Sequence, residues 1–98
     1  MGEILAAWFL TERGLAVLGR NVEVEGGEID LLATDGDSRV VIEVRTRANG
    51  EDPIDAVGDG KRRQVARLGR RIGASRIDLV GIGLGPRHFD VHWVPDAL

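Results

Sequence analysis

Asp30 and Glu43 are the residues of this chain best suited by type and spacing to do chemistry. Each lies in a short apolar stretch, Gly27-Glu28-Ile29-Asp30 and Val40-Val41-Ile42-Glu43-Val44-Arg45, where carboxylates interrupt one face of an alternating pattern. Alternation of this kind reads as β-strand. The connector Ala33-Thr34-Asp35-Gly36-Asp37-Ser38 is rich in turn-forming residues, so the two strands form a hairpin. A hairpin brings Asp30 close to Glu43, with Arg45 two residues further along. Paired carboxylates followed by a cation suit magnesium-dependent hydrolysis of a phosphodiester. A hard cation binds carboxylate and carbonyl oxygens, polarises a phosphoryl oxygen and lowers the pKa of an attacking water. The alternative is two solvent-facing acids on a half-exposed sheet, since short patterns recur by chance.

The register follows from burial. Ile29, Leu31 and Ala33 share one face of the first strand, and Glu28, Asp30 and Leu32 the other. In the second strand Val40, Ile42 and Val44 oppose Val41, Glu43 and Arg45. Burying both apolar sets together sets Leu31 opposite or diagonal to Ile42, and Asp30 likewise to Glu43; a one-residue slip would expose an apolar set. Facing carboxylates repel, so open solvent or a bound cation must offset them. Glu28, on the face of Asp30, is a candidate supporting acid behind the two, or simply a surface strand residue.

The elements that must position this hairpin can be read from punctuation and periodicity. Residues 3–13 form a helix ended by Gly14, and Ile4, Leu5, Trp8, Phe9 and Leu10 cover more than one of its faces, which predicts a well-buried helix. Strands follow at 15–24, 28–33 and 39–45, with Gly26-Gly27 as a turn. Residues 46–60 read as a loop with a short turn around Ile54-Asp55-Ala56-Val57. A helix capped by Gly58 or Asp59 runs to about Ile72 and stops at Gly73, and strands at 76–82 and 88–94 flank the turn Gly83-Leu84-Gly85-Pro86. The order αβββαββ, with a helix between the third and fourth strands, predicts an α/β fold with a mixed sheet.

At 98 residues the chain is read as one domain, 1–98, and 43% hydrophobic content fits a folded core rather than a disordered chain. No apolar run reaches the ~18 residues of a membrane span. The start has neither the basic segment nor the cleavage site of a secretion signal, Ala6 spoils a myristoylation match, and there is no cysteine, so a cytoplasmic location is expected. The net charge of −3 hides an asymmetry: residues 1–60 hold 5 Arg and 13 acids, residues 61–98 hold 8 Lys or Arg and 3 acids. Acids gather at the hairpin and bases just after it, as a metal centre beside a phosphate-binding surface requires, or as an ordinary mixed-charge surface allows.

The run GEIDLLATDGDSRVVIEVRTR resembles the core motif of the YraN family of small bacterial proteins, assigned to the PD-(D/E)XK nuclease superfamily and similar to archaeal Holliday-junction resolvases. The resemblance spans nearly the whole chain: Gly2-Glu3 with Ala6-Ala7 and Leu10, Gly19-Arg20-Asn21, Lys61, Arg76-Ile77-Asp78 and His92-Trp93-Val94-Pro95-Asp96-Ala97-Leu98 follow in family order. The family's usual upstream residues are missing, which predicts an N-terminus shortened relative to it. The resemblance implies a restriction-endonuclease-like core, a Mg²⁺ or Mn²⁺ site and DNA, branched DNA included, as substrate. It also implies a homodimer, for which the apolar Phe89-Val91-Trp93 edge is the candidate interface.

By the same resemblance Asp30 and Glu43 are the metal-binding acids, Val44 lends its backbone carbonyl, and Glu3 matches an acid that completes the metal site in related nucleases. Arg45 stands where the superfamily usually has Lys, a departure common within the YraN family. Arginine stays protonated, so it can stabilise charge but not act as a base; its alternative role is an ion pair that neutralises Glu43 or Asp30. Lys61 offers a replacement, because it shares a helical stripe with Val65, Leu68 and Ile72 that faces the sheet; the alternative is a lysine snorkelling at the core's edge. Arg47 is the nearest phosphate contact, and Arg63 and Arg67, on the helix's opposite face with Arg70 and Arg71, are further nucleic-acid candidates or a plain solvated face.

Other motifs carry less. His88 and His92 stand about 13 Å apart on one strand, too far to share a metal. Gly81-Ile82-Gly83-Leu84-Gly85 lacks the ending of a phosphate loop. Trp8, Phe89 and Trp93 are expected in the core. The sequence thus points to a metal-dependent endonuclease, with a catalytically inactive nucleic-acid-binding or protein-interaction module on the same fold as the rival. A small-molecule hydrolase is weaker, for want of a nucleophile–base pair.

Overall fold

The structure is a computed structural model and describes residues 2–48 and 57–98. The expected turn at Ile54–Val57 lies, except for Val57, outside the described residues. Seven elements follow in the order α1 (Gly2–Glu12), β1 (Ala16–Val24), β2 (Gly27–Asp35), β3 (Ser38–Ala48), α2 (Asp59–Arg71), β4 (Arg76–Leu84) and β5 (Phe89–Val94). The strands make one mixed sheet in the order β1-β2-β3-β4-β5, antiparallel except for the β3–β4 pair. That parallel pair requires a crossover, and α2 supplies it. No helix among the described residues is long and apolar enough to cross a membrane.

α1 stops because Gly14 adopts φ 95, a conformation that lets the Leu15 amide donate to the Leu10 carbonyl at 3.1 Å. β2 and β3 join through Gly36-Asp37, with Gly36 at φ 62, and this two-residue turn pins Leu31 directly opposite Ile42. β3 runs three residues past its expected end. Thr46–Ala48 look like loop by composition, but β4 pairs with them as far as Ala48↔Leu84, so the neighbouring backbone overrides local preference.

The sheet separates two apolar layers. On one side Ala6 and Leu10 of α1 pack with Leu31, Ala33, Val40, Ile42, Val80 and Ile82; on the other Val65 and Leu68 of α2 pack with Ile29 and Val41. Ile29 departs from the expected alternation, which grouped it with Leu31 and Ala33. The β2–β3 ladder ends at Leu31↔Ile42, and between the pairs Arg20↔Leu31 and Val22↔Ile29 stands Asn21 at φ 51. The strand rotates at this break and carries Ile29 to the α2 side.

α1 is less buried than expected. It buries the Ala6–Leu10 stripe, while Ile4 and Trp8, one turn apart on its outer side, are 54% and 59% exposed. A helix lying on one face of a sheet can bury only one stripe. Phe89 is likewise exposed rather than core, and Trp93 is half-buried against the α1-side layer.

Candidate functional site

Alternation along β3 sends Ile42 and Val44 toward α1 and Glu43 and Arg45 toward α2. Glu43 ends up 4% exposed, a carboxylate inside the α2-side layer. Asp30 sits where β2 parts from β3, and its Oδ2 accepts the Val44 amide hydrogen at 2.8 Å. The side chain thereby takes over the backbone partner that the broken ladder would have supplied. Asp30, Glu43 and the Val44 backbone are therefore gathered at one point.

Two cations complete the group. Val65 and Leu68 are buried at four and seven residues from Lys61, and this apolar anchor turns Lys61 inward from the first turn of α2. Lys61 Nζ lies 3.5 Å from Glu43 Oε1, and Arg45 Nε lies 3.7 Å from the same oxygen. Burial first, and then the neighbouring Asp30 charge, push the Glu43 carboxyl up from 4.5 to about 7; Lys61 and Arg45 oppose the rise, and a hydrogen bond with Asp30 adds to it. The Glu43 carboxyl therefore titrates near neutrality, with two positive charges close by.

The group fits a hard divalent cation by its donors, two carboxylates in a water-poor setting whose mutual repulsion a cation would relieve. It also fits an oxyanion: Arg45 Nε is buried and has no hydrogen-bond partner, since 3.7 Å is too long for one.

The other expected residues lie apart. Glu3 follows Gly2, which sits against Val44, Thr46 and Ile82 on the α1 side, whereas Glu43 faces α2. Among the described residues no three His, Cys, Asp or Glu side chains are grouped for a metal. Glu28 is exposed and stands opposite Glu23 on β1. Arg47 is half-buried on β3, two residues beyond Arg45. Arg63 and Arg67 are exposed on α2, with the Arg67 guanidinium beside Gly26 in the β1–β2 turn; Arg71 pairs with Glu25 there at 3.4 Å. His88 and His92 are both exposed.

Spacing alone gives Asp78 no role, and the structure buries it fully. It accepts hydrogen bonds from Arg76 Nε at 2.8 Å and Nη2 at 3.0 Å, Trp93 Nε1 at 2.9 Å and the Asp96 amide at 2.8 Å. Arg76 also donates to Asp35 at 2.9 Å, and its pKa is held above the ordinary arginine value chiefly by the bond to Asp78. The knot ties the start of β4 to the hairpin end of β2 and to the chain beyond β5. Asp78 stands opposite Ile42, the residue before Glu43, so it fixes the strand that carries the site. An acid inside the apolar run Ile77-Asp78-Leu79-Val80 was the available signal.

The fold is similar to that of a solved archaeal protein. Hjc from Archaeoglobus fulgidus, a Holliday junction resolvase, superposes with a TM-score of 0.62 at 23% identity, over 94% of this chain and 74% of Hjc. Among sequence relatives, a UPF0102 protein of Streptomyces griseus is 45% identical, over 88% of this chain and 81% of the relative. Another from Marinobacter nauticus is 36% identical, over 98% and 87%. Residues 2–82 match the model of uncharacterised protein family UPF0102. This chain is a member of that family, the YraN family that its motifs resemble.

Proposed function

We propose that this protein is a Mg²⁺- or Mn²⁺-dependent endonuclease that hydrolyses phosphodiester bonds in DNA, with branched, Holliday-junction-like DNA as the favoured substrate. The single observation that carries the reading is Glu43. A nearly buried carboxylate is set against a second one, Asp30, with Lys61 and Arg45 converging on it. Buried acids are seldom left next to each other unless a cation or a reaction needs them.

In this reading Asp30, Glu43 and the Val44 carbonyl hold the metal, which when bound polarises the phosphoryl oxygen and acidifies a water. Glu3, in the first turn of α1, is the candidate to complete the ligand set. Arg45 offers its buried Nε to a phosphate oxygen and stabilises the charge that develops there. Lys61 does the same from α2. Arg47 extends the cationic row along β3, Arg63 and Arg67 meet phosphates further from the cut, and Glu28 tempers the field behind Asp30. A homodimer would present two such sites to two strands; of the Phe89-Val91-Trp93 edge, Val91 and Trp93 pack against the α1-side layer, which leaves Phe89, 46% exposed, and its neighbour Leu84, 50% exposed, as the candidate contact.

The test is cleavage of linear and four-way DNA with Mg²⁺ or Mn²⁺. Wild type is expected to cut, and Asp30→Ala and Glu43→Ala to lose cutting while keeping DNA binding. A second reading, a binding module without catalysis, is favoured by Arg45, which cannot serve as a base. DNA binding at low salt with no metal-dependent cutting by wild type selects the module, and no binding at all refutes both.

A further inference from the structure

Two side-chain cations already converge on the oxygen that a metal would need. Lys61 Nζ and Arg45 Nε approach the same Glu43 Oε1, at 3.5 and 3.7 Å. They are not equivalent. Arg45 sits two residues from Glu43 on the same strand, and although its side chain is 34% exposed its Nε is buried beside Glu43. Lys61 arrives on a flexible four-carbon stem from the open end of α2, and its ammonium is a compact charge with three rotatable donors. The Lys61 side chain is 31% exposed and that of Glu43 5%. The ammonium therefore has a path to water that the carboxylate lacks. Of the pair, Lys61 is the partner that can leave.

We infer that Lys61 is a built-in counter-ion that occupies Glu43 until a divalent cation displaces it, and that the released ammonium then engages a phosphodiester oxygen of the substrate. The inference rests on the metal-dependent reading above and assigns Lys61 two successive partners. Without metal, the ammonium limits the repulsion between Glu43 and Asp30 and holds the start of α2 against the sheet. With metal, the cation takes over that neutralisation, and the ammonium is free at the mouth of the site. Metal and phosphate binding are thereby coupled, each favouring the other by the same factor.

The chain has a single lysine, Lys61, so an amine-reactive reagent followed by peptide mass spectrometry reads this group apart from the α-amine. Added Mn²⁺ is expected to raise the rate of Lys61 acetylation severalfold in wild type. Glu43→Gln is expected to label at the raised rate with no metal present. In calorimetric titration Lys61→Met should bind Mn²⁺ about tenfold more tightly than wild type, a change easily resolved on the affinity scale. Arg70→Met, which removes the same charge from the exposed side of α2, should bind as wild type does. Lys61 labelling indifferent to Mn²⁺, or Mn²⁺ affinity unchanged or weaker in Lys61→Met, overturns the counter-ion role alone. If Asp30→Asn and Glu43→Gln bind Mn²⁺ as well as wild type does, the metal lies elsewhere and the metal-dependent reading falls with it.

Discussion

Glu43→Gln is expected to make the protein more stable, by an amount that depends on pH. In the unfolded chain Glu43 titrates near 4.5, and in the folded protein burial and Asp30 raise it to about 7. The folded state therefore binds more protons than the unfolded state between these values, and its stability falls as pH rises through that window. Below about pH 4.5 both states are protonated at this position and nothing is lost. Above about 7 the full penalty applies. A shift of some 2.5 units at 1.36 kcal/mol each makes that penalty about 3 kcal/mol, a large share of the ~5–15 kcal/mol typical of a whole domain. Glutamine keeps the shape of the protonated acid and cannot ionise, so it removes the penalty. Urea unfolding at pH 5 and pH 8 in the presence of a chelator measures it. The variant should gain about 3 kcal/mol over wild type at pH 8, roughly a 2 M rise in midpoint, and far less at pH 5. A variant no more stable than wild type at pH 8, or a difference that does not grow between the two pH values, refutes the account of Glu43 as an acid buried at a cost.

Asp30→Asn removes the second largest cause of that shift, so the wild-type loss of stability between pH 5 and 8 should flatten in this variant; an unchanged slope would assign the shift to burial alone. Hydrogen exchange at the Val44 amide should speed up in Asp30→Ala, because the 2.8 Å bond to Asp30 is its acceptor, and equal protection would contradict that bond. Asp78→Ala should cost about 3 kcal/mol by leaving Arg76 and Trp93 without their shared acceptor. Asp35→Ala, which breaks the exposed arm of the same knot, should cost no more than about 1 kcal/mol; comparable losses in the two would argue against the ranking by burial. Arg63→Ala and Arg67→Ala should each lower the salt slope of DNA binding by about 1 without altering metal affinity, and an unchanged slope would leave that face of α2 out of the interface.

What the sequence determined by itself is local and periodic. Alternation in residues 28–33 and 39–45, with turn-forming residues between them, set Leu31 opposite or diagonal to Ile42 and so brought Asp30 near Glu43; the ladder has Leu31 directly opposite Ile42. Gly14 and Gly73 marked the helix ends, and the stripe Lys61, Val65, Leu68 showed which side of α2 meets the sheet. These signals survive folding because hairpin register and helix amphipathicity depend on residues a few positions apart.

The tertiary structure decided whatever depends on distant partners. Thr46–Ala48 became strand because β4 offered it a backbone edge, and Ile29 changed sides because β2 leaves β3 at Asp30. Ile4, Trp8 and Phe89 stayed in solvent because the sheet accepts one stripe of α1 and β5 lies at its edge. Ile42 and Val44 face α1 while Glu43 faces α2, because neighbouring residues of β3 point to opposite sides of the sheet. Burial of Asp78 took four donors from three segments, which no local pattern encodes. The same holds for the site itself: the carboxylates were legible as a pair, but the burial that raises Glu43 to about 7 and draws Lys61 and Arg45 to one oxygen exists only once α2 is packed on the sheet.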